Sequence, residues 1–461
     1  MSIKTVYQAY TRAPLGEITL HSQAQADEML TIAQGLFKNK DAWLPIYQRI
    51  EILEKMVVLL REQRETLVLQ IANEGGKPLT DAYVEADRAV EGVKIAIRTL
   101  ATESGQTVPM GVTPACVNRL AFTHLQPIGV VLAVSAFNHP LNLIIHQVIP
   151  AIATGCPVII KPALSVPSSC LQVADIAKQA GLPDGWLQVC LTPDDITENM
   201  VTDPRLGFFS FIGSAKVGWW LRSKLANGTR CALEHGGVAP VIVDKNTDLD
   251  SIVPLLGKAG FYHAGQVCVS VQRVFADKQI ATELAEKLVV YAQTLTVGDA
   301  IAIDTDVGPL IEPYEIERAH QWVTESQPQV LCGGERLGKT TYAPTVILNP
   351  DKQSKVARCE VFAPVIAVFS YDNRLQAIAE ANSLDMTFQA SVFSQHIDIA
   401  MDTARRLDAS AVMINDPTTF RVDWMPFAGY RQSGYGVGGI PHTMKDLWQE
   451  KMLVIHSQGL A

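Results

Sequence analysis

Three short segments carry side chains that could act together on a carbonyl carbon. Gly265-Gln266-Val267-Cys268-Val269 sets a cysteine among small and polar residues, in a stretch opened by Gly260 and Gly265. A thiolate exposed on such a turn is a nucleophile, but the thiol needs help to ionise at neutral pH. Leu233-Glu234-His235-Gly236-Gly237 places a carboxylate before two glycines, as at a tight turn. In apolar surroundings its pKa rises and it can serve as general base on water. Ser135-Ala136-Phe137-Asn138-His139-Pro140-Leu141 puts an amide just past an apolar run, where it can donate to a developing oxyanion. Each segment alone also has a plain structural reading: a buried cysteine packing as a small hydrophobe, a surface glutamate at a turn, a helix cap.

The elements that must position these groups follow from periodicity. Residues 24–72 read as helical, with Leu53, Met56, Val57 and Leu60, then Leu67 and Ile71, at helical spacing. Gly75-Gly76-Lys77-Pro78 stops that run, and a second helix is predicted over about 80–101. Weak alternation predicts a strand over 119–126. The apolar runs 130–134 and 158–160 suit buried parallel strands, with a helix over about 141–154 between them. Lys161-Pro162 ends the second run, and a helix follows from the Ser165–Ser168 cluster to Ala180-Gly181. A strand over 206–211, a glycine turn and a helix through 225 form a third unit. Alternating α/β texture then runs from 241 to about 430, and the tail over 447–455 predicts a terminal strand. Such alternation predicts parallel sheets with ligands at the strands' carboxyl ends, and 461 residues predict two or three domains.

Composition narrows the functional classes. With 48% hydrophobic and 18% charged residues the chain is of globular type, and a net charge of −9 without a Lys/Arg block argues against nucleic acid or anionic membrane as partner. Met1-Ser2-Ile3-Lys4-Thr5 opens no apolar signal segment. The apolar stretch 127–160 is interrupted by Asn138, His139, Pro140, Asn142, His146 and Pro150, which a membrane helix would have to bury dry. The eight scattered cysteines form no C-x-x-C pair, so reduced thiols in a cytoplasmic protein are expected, and no metal site is expected. Two motifs mislead. Gly333–Thr340 fits a phosphate loop, but the β-branched, proline-interrupted sequel should not form the helix that such a loop needs. Gly434–Gly439 fits a dinucleotide fingerprint, but it follows Arg431-Gln432-Ser433 and reads as a flexible loop.

Taken in order, the motifs resemble those of the aldehyde dehydrogenase superfamily, NAD(P)-dependent and non-CoA-acylating, along nearly the whole chain. Asn138 lies in a turn similar to that family's oxyanion asparagine motif, and Lys161-Pro162 resembles its K-P strand end. Phe211-Ile212-Gly213-Ser214 with Gly218 resembles the F-T-G-S cofactor turn, Glu234–Gly237 the E-L-G-G motif, and Gly265–Cys268 the G-Q-x-C nucleophile motif. Glu360-Val361-Phe362-Ala363-Pro364 is similar to E-x-F-G-P, and Pro426-Phe427-Ala428-Gly429 with Ser433-Gly434 to P-F-G-G…S-G.

The resemblance implies a nucleophilic Cys268, a Glu234 that activates the hydrolytic water, and an oxyanion held by Asn138 and the Cys268 N–H. Losing one oxyanion donor costs about two to three orders of magnitude, so Asn138→Ala should be severely impaired. It implies NAD or NADP held by Ser135, Lys161, Gly213, Ser214, Gly218, His235, Glu360 and Phe362, with the pyrophosphate at a helix N-terminus. It places His146, Tyr262, Val267, Val269, Phe420 and Arg421 near the substrate. A histidine and an arginine there suggest a short hydroxylated or anionic aldehyde, unless Arg421 pairs with Asp423 or Asp416. The implied fold is α/β: a Rossmann-type nucleotide-binding domain (1–109 and 128–236), a catalytic domain (237–446), and a small β oligomerisation flap (110–127 and 447–461) giving a homodimer or homotetramer. A CoA-acylating semialdehyde dehydrogenase and a non-catalytic structural protein on the same scaffold are the alternatives. Two departures bear on the cofactor: Leu164 stands where many NAD-preferring members carry a ribose-binding Glu, and Thr192-Pro193-Asp194-Asp195 replaces a Gly-rich turn.

Overall fold

The computed structural model describes residues 2–326 and 329–460; Met1, Gln327, Pro328 and Ala461, which fall within the expected domain ranges, lie outside the described residues. Two large sheets organise the chain. The first has six strands in the order Gly434–Tyr435, Arg230–Glu234, Leu206–Ile212, Val130–Val134, Val158–Lys161, Leu187–Val189. All its pairings are parallel except that of Gly434–Tyr435. Its central strands are buried on both faces, which is why they read as unbroken Val/Ile/Leu/Ala runs rather than alternating ones. One face packs under the helices Ile46–Glu62, Leu79–Thr102 and Asn142–Thr154, the other under Gln23–Lys38.

The second sheet has seven strands, ordered Val330–Cys332, Thr345–Leu348, Val365–Tyr371, Arg273–Asp277, Pro240–Val243, Gln389–Phe393, Ala411–Ile414, with only the first antiparallel. Helices Leu249–Phe261 and Ala281–Thr294 cover one face, Arg374–Ala381 and Ile397–Arg406 the other. A third, small sheet joins Thr107–Val108, Arg119–Pro127 and the tail strand Trp448–His456, which pairs antiparallel along nine residues. Its first strand therefore begins ahead of residue 110. Among the described residues no helix is long and apolar enough to cross a membrane, and all eight cysteines are free.

Three expectations need correction. The predicted helix over 24–72 is three helices: Gln23–Lys38, capped by a reciprocal Ser22/Gln25 box, then Ile46–Glu62 and Arg64–Gly75. Pro45 forces the first break, since it has no N–H to donate and disfavours helical backbone at Leu44. The helix expected to run through 225 ends at Arg222. Gly434–Gly439 is not a flexible loop: Gly434 and Tyr435 pair with Glu234 and Leu233, and Gly439, at φ 102°, heads the helix Ile440–Asp446. The pairing is long-range, so no local pattern marks it. The N-terminal hairpin of Ile3–Tyr7 with Pro14–Thr19 also escaped the periodicity reading, because its strands are mostly exposed and lack an apolar face. After Gly333–Thr340 comes the strand Thr345–Leu348, as the β-branched sequel predicts.

Candidate active site

Four parallel strands of the first sheet end at one level, and the sequence motifs sit there. Val134 is in register with both Lys161 and Phe211, and Ile212 with Glu234. Ser135–Asn138, Lys161, Gly213-Ser214 and Glu234 therefore emerge together at the sheet's carboxyl edge, where α/β sheets bind ligands. They line a cavity of about 990 Å³ whose opposite wall comes from the second sheet's side: Tyr262, Val267, Cys268, Val269, Glu360, Phe362 and Arg421. His146 and His235 line it as well. Two expected residues are not in its lining. Phe420 is 46% exposed, since the turn that aims Thr419 and Arg421 inward sends the residue between them outward. Gly218 lies behind His235: a Cβ on it would come 2.0 Å from the imidazole, so its part is to let that ring pack against the helix Ala215–Arg222.

The cysteine is presented by an unusual turn. After the helix Leu249–Phe261, His263, Ala264 and Gly265 are successively left-handed, at φ 47°, 54° and 71°. Two non-glycine residues in that region cost free energy that the surroundings must supply. Gly265 allows no substitute, since a Cβ would meet the Ala363 carbonyl oxygen at 2.2 Å. The buried Gln266 side chain fixes the turn: its oxygen accepts the Ile311 N–H at 2.9 Å, and its amide donates to the carbonyls of His263 and Pro309, each at 3.2 Å. Asn138 Nδ2 donates to the Gln266 carbonyl at 2.9 Å, so the amide from one half of the molecule is tied to backbone two residues before the thiol from the other. One amide hydrogen remains for another acceptor.

Glu234 is secured by backbone rather than by side-chain partners. Its carbonyl accepts the Gly213 N–H at 3.1 Å, and the following His235 donates its N–H to the Ser433 carbonyl at 3.0 Å. Two glycines make room for acids here. A Cβ at Gly438 would stand 2.0 Å from Glu234 Oε1, and one at Gly236 would stand 1.6 Å from Glu360 Oε1. The ionisable groups lie at the floor of the cavity and are strongly perturbed. Burial, countered in part by Arg421, raises the Glu234 carboxyl to about 7. Burial raises Glu360 to about 8 against the pull of Arg318 and the Gly237 N–H. Burial, reinforced by Glu360 and Glu234, pushes the Cys268 thiol up to about 12. Burial lowers Arg421 to about 10. Perturbation of this size, in a shared cleft, is the expected mark of groups that do chemistry.

Arg421 pairs with Asp423, as the sequence allowed, but only at long range, and it keeps a donor open. Asp423 is already held by Arg88, through two nitrogens at 2.5 and 3.2 Å, and by His146 Nε2 at 2.9 Å; Arg421 Nε comes no nearer to it than 3.9 Å. The guanidinium instead lies over the Phe427 ring, 3.7 Å from its centroid, and its buried Nη1 has no partner among the described residues. No sequence signal could have marked Arg88, which is 335 residues from its aspartate. Glu85 was missed for the same reason: completely buried and paired with Lys77, it accepts the N–H groups of Leu141 and Asn142 at 2.9 and 3.0 Å and so pins the turn that carries Asn138.

The residues present suit a dinucleotide. The Ser135 hydroxyl, Glu360 Oε1 and His235 Nε2 are buried with no hydrogen-bond partner among the described residues. Ser214 caps its helix without a side-chain hydrogen bond, which leaves hydroxyl and helix N–H groups for phosphate oxygens. Lys161, almost buried, faces the cavity beside Asp194 at 3.4 Å.

Comparison with known proteins agrees with this geometry. Residues 2–453 match the model of the aldehyde dehydrogenase family. A 3-sulfolactaldehyde dehydrogenase from Priestia aryabhattai is 35% identical over 456 residues, 98% of this chain and 94% of that protein. A glyceraldehyde-3-phosphate dehydrogenase from Methanocaldococcus jannaschii, solved in complex with NADP, superposes with a TM-score of 0.92 at 32% identity, over 98% of this chain and 99% of that one. An aldehyde dehydrogenase from Physcomitrella patens, in complex with its reaction product succinate, superposes with a TM-score of 0.95 at 28% identity, over 99% and 96%.

Proposed function

The chain belongs to the aldehyde dehydrogenase family and is an NAD(P)+-dependent oxidoreductase of the non-acylating type, and from that premise we propose that it oxidises a short aldehyde bearing an anionic or hydroxyl group to the carboxylic acid through a thioester on Cys268. One observation carries the assignment of roles: Cys268, Glu234 and Asn138 meet at one cavity, with the asparagine bonded to backbone next to the thiol.

Cys268 Sγ attacks the carbonyl carbon and loses its proton as the C–S bond forms. That proton passes to solvent, and Glu234, about half deprotonated near pH 7, remains available as the base of the hydrolytic step. The free N–H of Asn138 and the Cys268 backbone N–H receive the oxygen's growing charge. Bound NAD(P)+ supplies the hydride acceptor. Once the carbon is at the acyl level, Glu234 takes a proton from water, the water oxygen bonds to the carbonyl carbon, and the C–S bond breaks to return the thiol and release the acid.

The anionic preference rests on Arg421, a largely buried cation with an open donor in the cavity. A substrate carboxylate, sulfonate or phosphate would complete it, and charge-assisted hydrogen bonds of this kind are strong. The relatives named above point the same way, since sulfolactaldehyde, glyceraldehyde 3-phosphate and succinate all carry such a group. Reduced-nicotinamide absorbance with a panel of short carboxylated, sulfonated, phosphorylated and uncharged aldehydes tests this. Arg421→Ala should lower kcat/KM for the charged substrates by about 10- to 100-fold, or ~1.5–3 kcal/mol, more than for the uncharged ones, which feel only the loss of its pull on Glu234. An unchanged preference would remove the anion from the reading.

We also propose that the small sheet joins subunits into a homodimer or homotetramer. Its tail strand lies at the sheet's edge and exposes Met452, Leu453, Val454 and Ile455, an unpaired apolar edge suited to a second copy. Light scattering on the intact protein, which should read two or four chains, checks it.

A further inference from the structure

Lys161 is the cationic end of the strand Val158–Lys161, 7% exposed and facing the cavity. Among the described residues its ammonium has one charged partner, Asp194 Oδ1 at 3.4 Å, and that carboxylate also lines the cavity. Asp194 opens the helix Asp194–Val201, with Asp195 beside it in the first turn, so the positive helix end is offset by two acids. Leu164, three residues past Lys161, is uncharged. Any preference between the two dinucleotides must therefore be set here by a different group from the one at 164.

We infer that Asp194 makes this enzyme favour NAD over NADP, an inference that rests on the proposed cofactor reading, in which the family resemblance implies that Lys161 bonds the adenosine ribose. The two cofactors differ only at the ribose 2′ position. A hydroxyl there can donate to Asp194 while Lys161 Nζ bonds the ribose oxygens. A 2′-phosphate offers no such donor and brings close to two negative charges against the carboxylate, while Asp194 already neutralises the lysine that would otherwise attract it. Because the Asp194 side chain is 99% exposed, the repulsion is screened, and the discrimination should shrink as salt is raised.

Binding, measured by NADH and NADPH fluorescence on the full-length protein without substrate, tests this apart from turnover. The wild type should bind NADH at least about tenfold tighter than NADPH, and Asp194→Ser should cut that ratio by about tenfold, mainly by tightening NADPH. The wild-type ratio should also narrow between low and high salt. Equal wild-type affinities, or a ratio that Asp194→Ser leaves unchanged, would overturn the inference while leaving the ribose site standing, provided that Lys161→Ala weakens both cofactors. If Lys161→Ala weakens neither, the ribose placement and the inference fall together. The full exposure of Asp194 makes misfolding of its variant no obstacle, and an unaltered melting temperature verifies that.

Discussion

The two ends of the cavity obey different electrostatics. At the thiol end Cys268, Glu234, Glu360 and Arg421 are all driven from their ordinary pKa values by burial first and by neighbouring charges second. At the Lys161 end a cation meets an aspartate that stands in solvent. Charged and ionisable groups are largely withdrawn from solvent at the first end, while at the second the aspartate stands in it. Substitutions at the first end should therefore change rates by orders of magnitude, and those at the second should change affinities modestly.

The steepest test is Cys268→Ala, which should leave no measurable oxidation while cofactor fluorescence titrates as in the wild type; residual turnover would place the nucleophile elsewhere. Glu234→Gln comes next. Steady-state rate should fall by about 10²- to 10⁴-fold, while a single-turnover burst of reduced nicotinamide survives, because only thioester hydrolysis has lost its base. The wild type should show the matching pH dependence. Glu234 is raised to about 7, so the fraction able to accept a proton, and kcat with it, should fall about tenfold per unit below that value and level off above it. Gly438→Ala sharpens the comparison further. Its methyl would displace Glu234 Oε1 without removing it, so hydrolysis should slow by up to about 10²-fold with the burst intact. A rate equal to wild type would mean that the carboxylate need not stand where it does.

Much of this site was legible before any coordinates. The buried parallel strands announce themselves because both faces need apolar β-branched residues, and the groups that follow them must then lie at one sheet edge. Asn138, Lys161, Gly213 and Glu234 owe their convergence to that rule. The turn at Cys268 was legible only as a motif: three successive left-handed residues, two of them His263 and Ala264, contradict local preference, and long-range bonds through Gln266 hold them. The helix over 24–72 was misread because its apolar spacing outweighed Pro45, and Phe420 because a turn's facing cannot be read from its neighbours.

By itself, the sequence determined which chemical groups are available and that alternating α/β elements would gather most of them along one edge, since periodicity and apolar patterning are local properties. The tertiary structure alone decided that Gly434–Tyr435 completes the glutamate's sheet, that Glu85 pins the asparagine turn, and that Arg88 and His146 satisfy Asp423 and so leave Arg421 open. Those outcomes depend on contacts between residues tens to hundreds of positions apart, and on how far each charge is removed from water. No window of neighbouring residues contains either quantity.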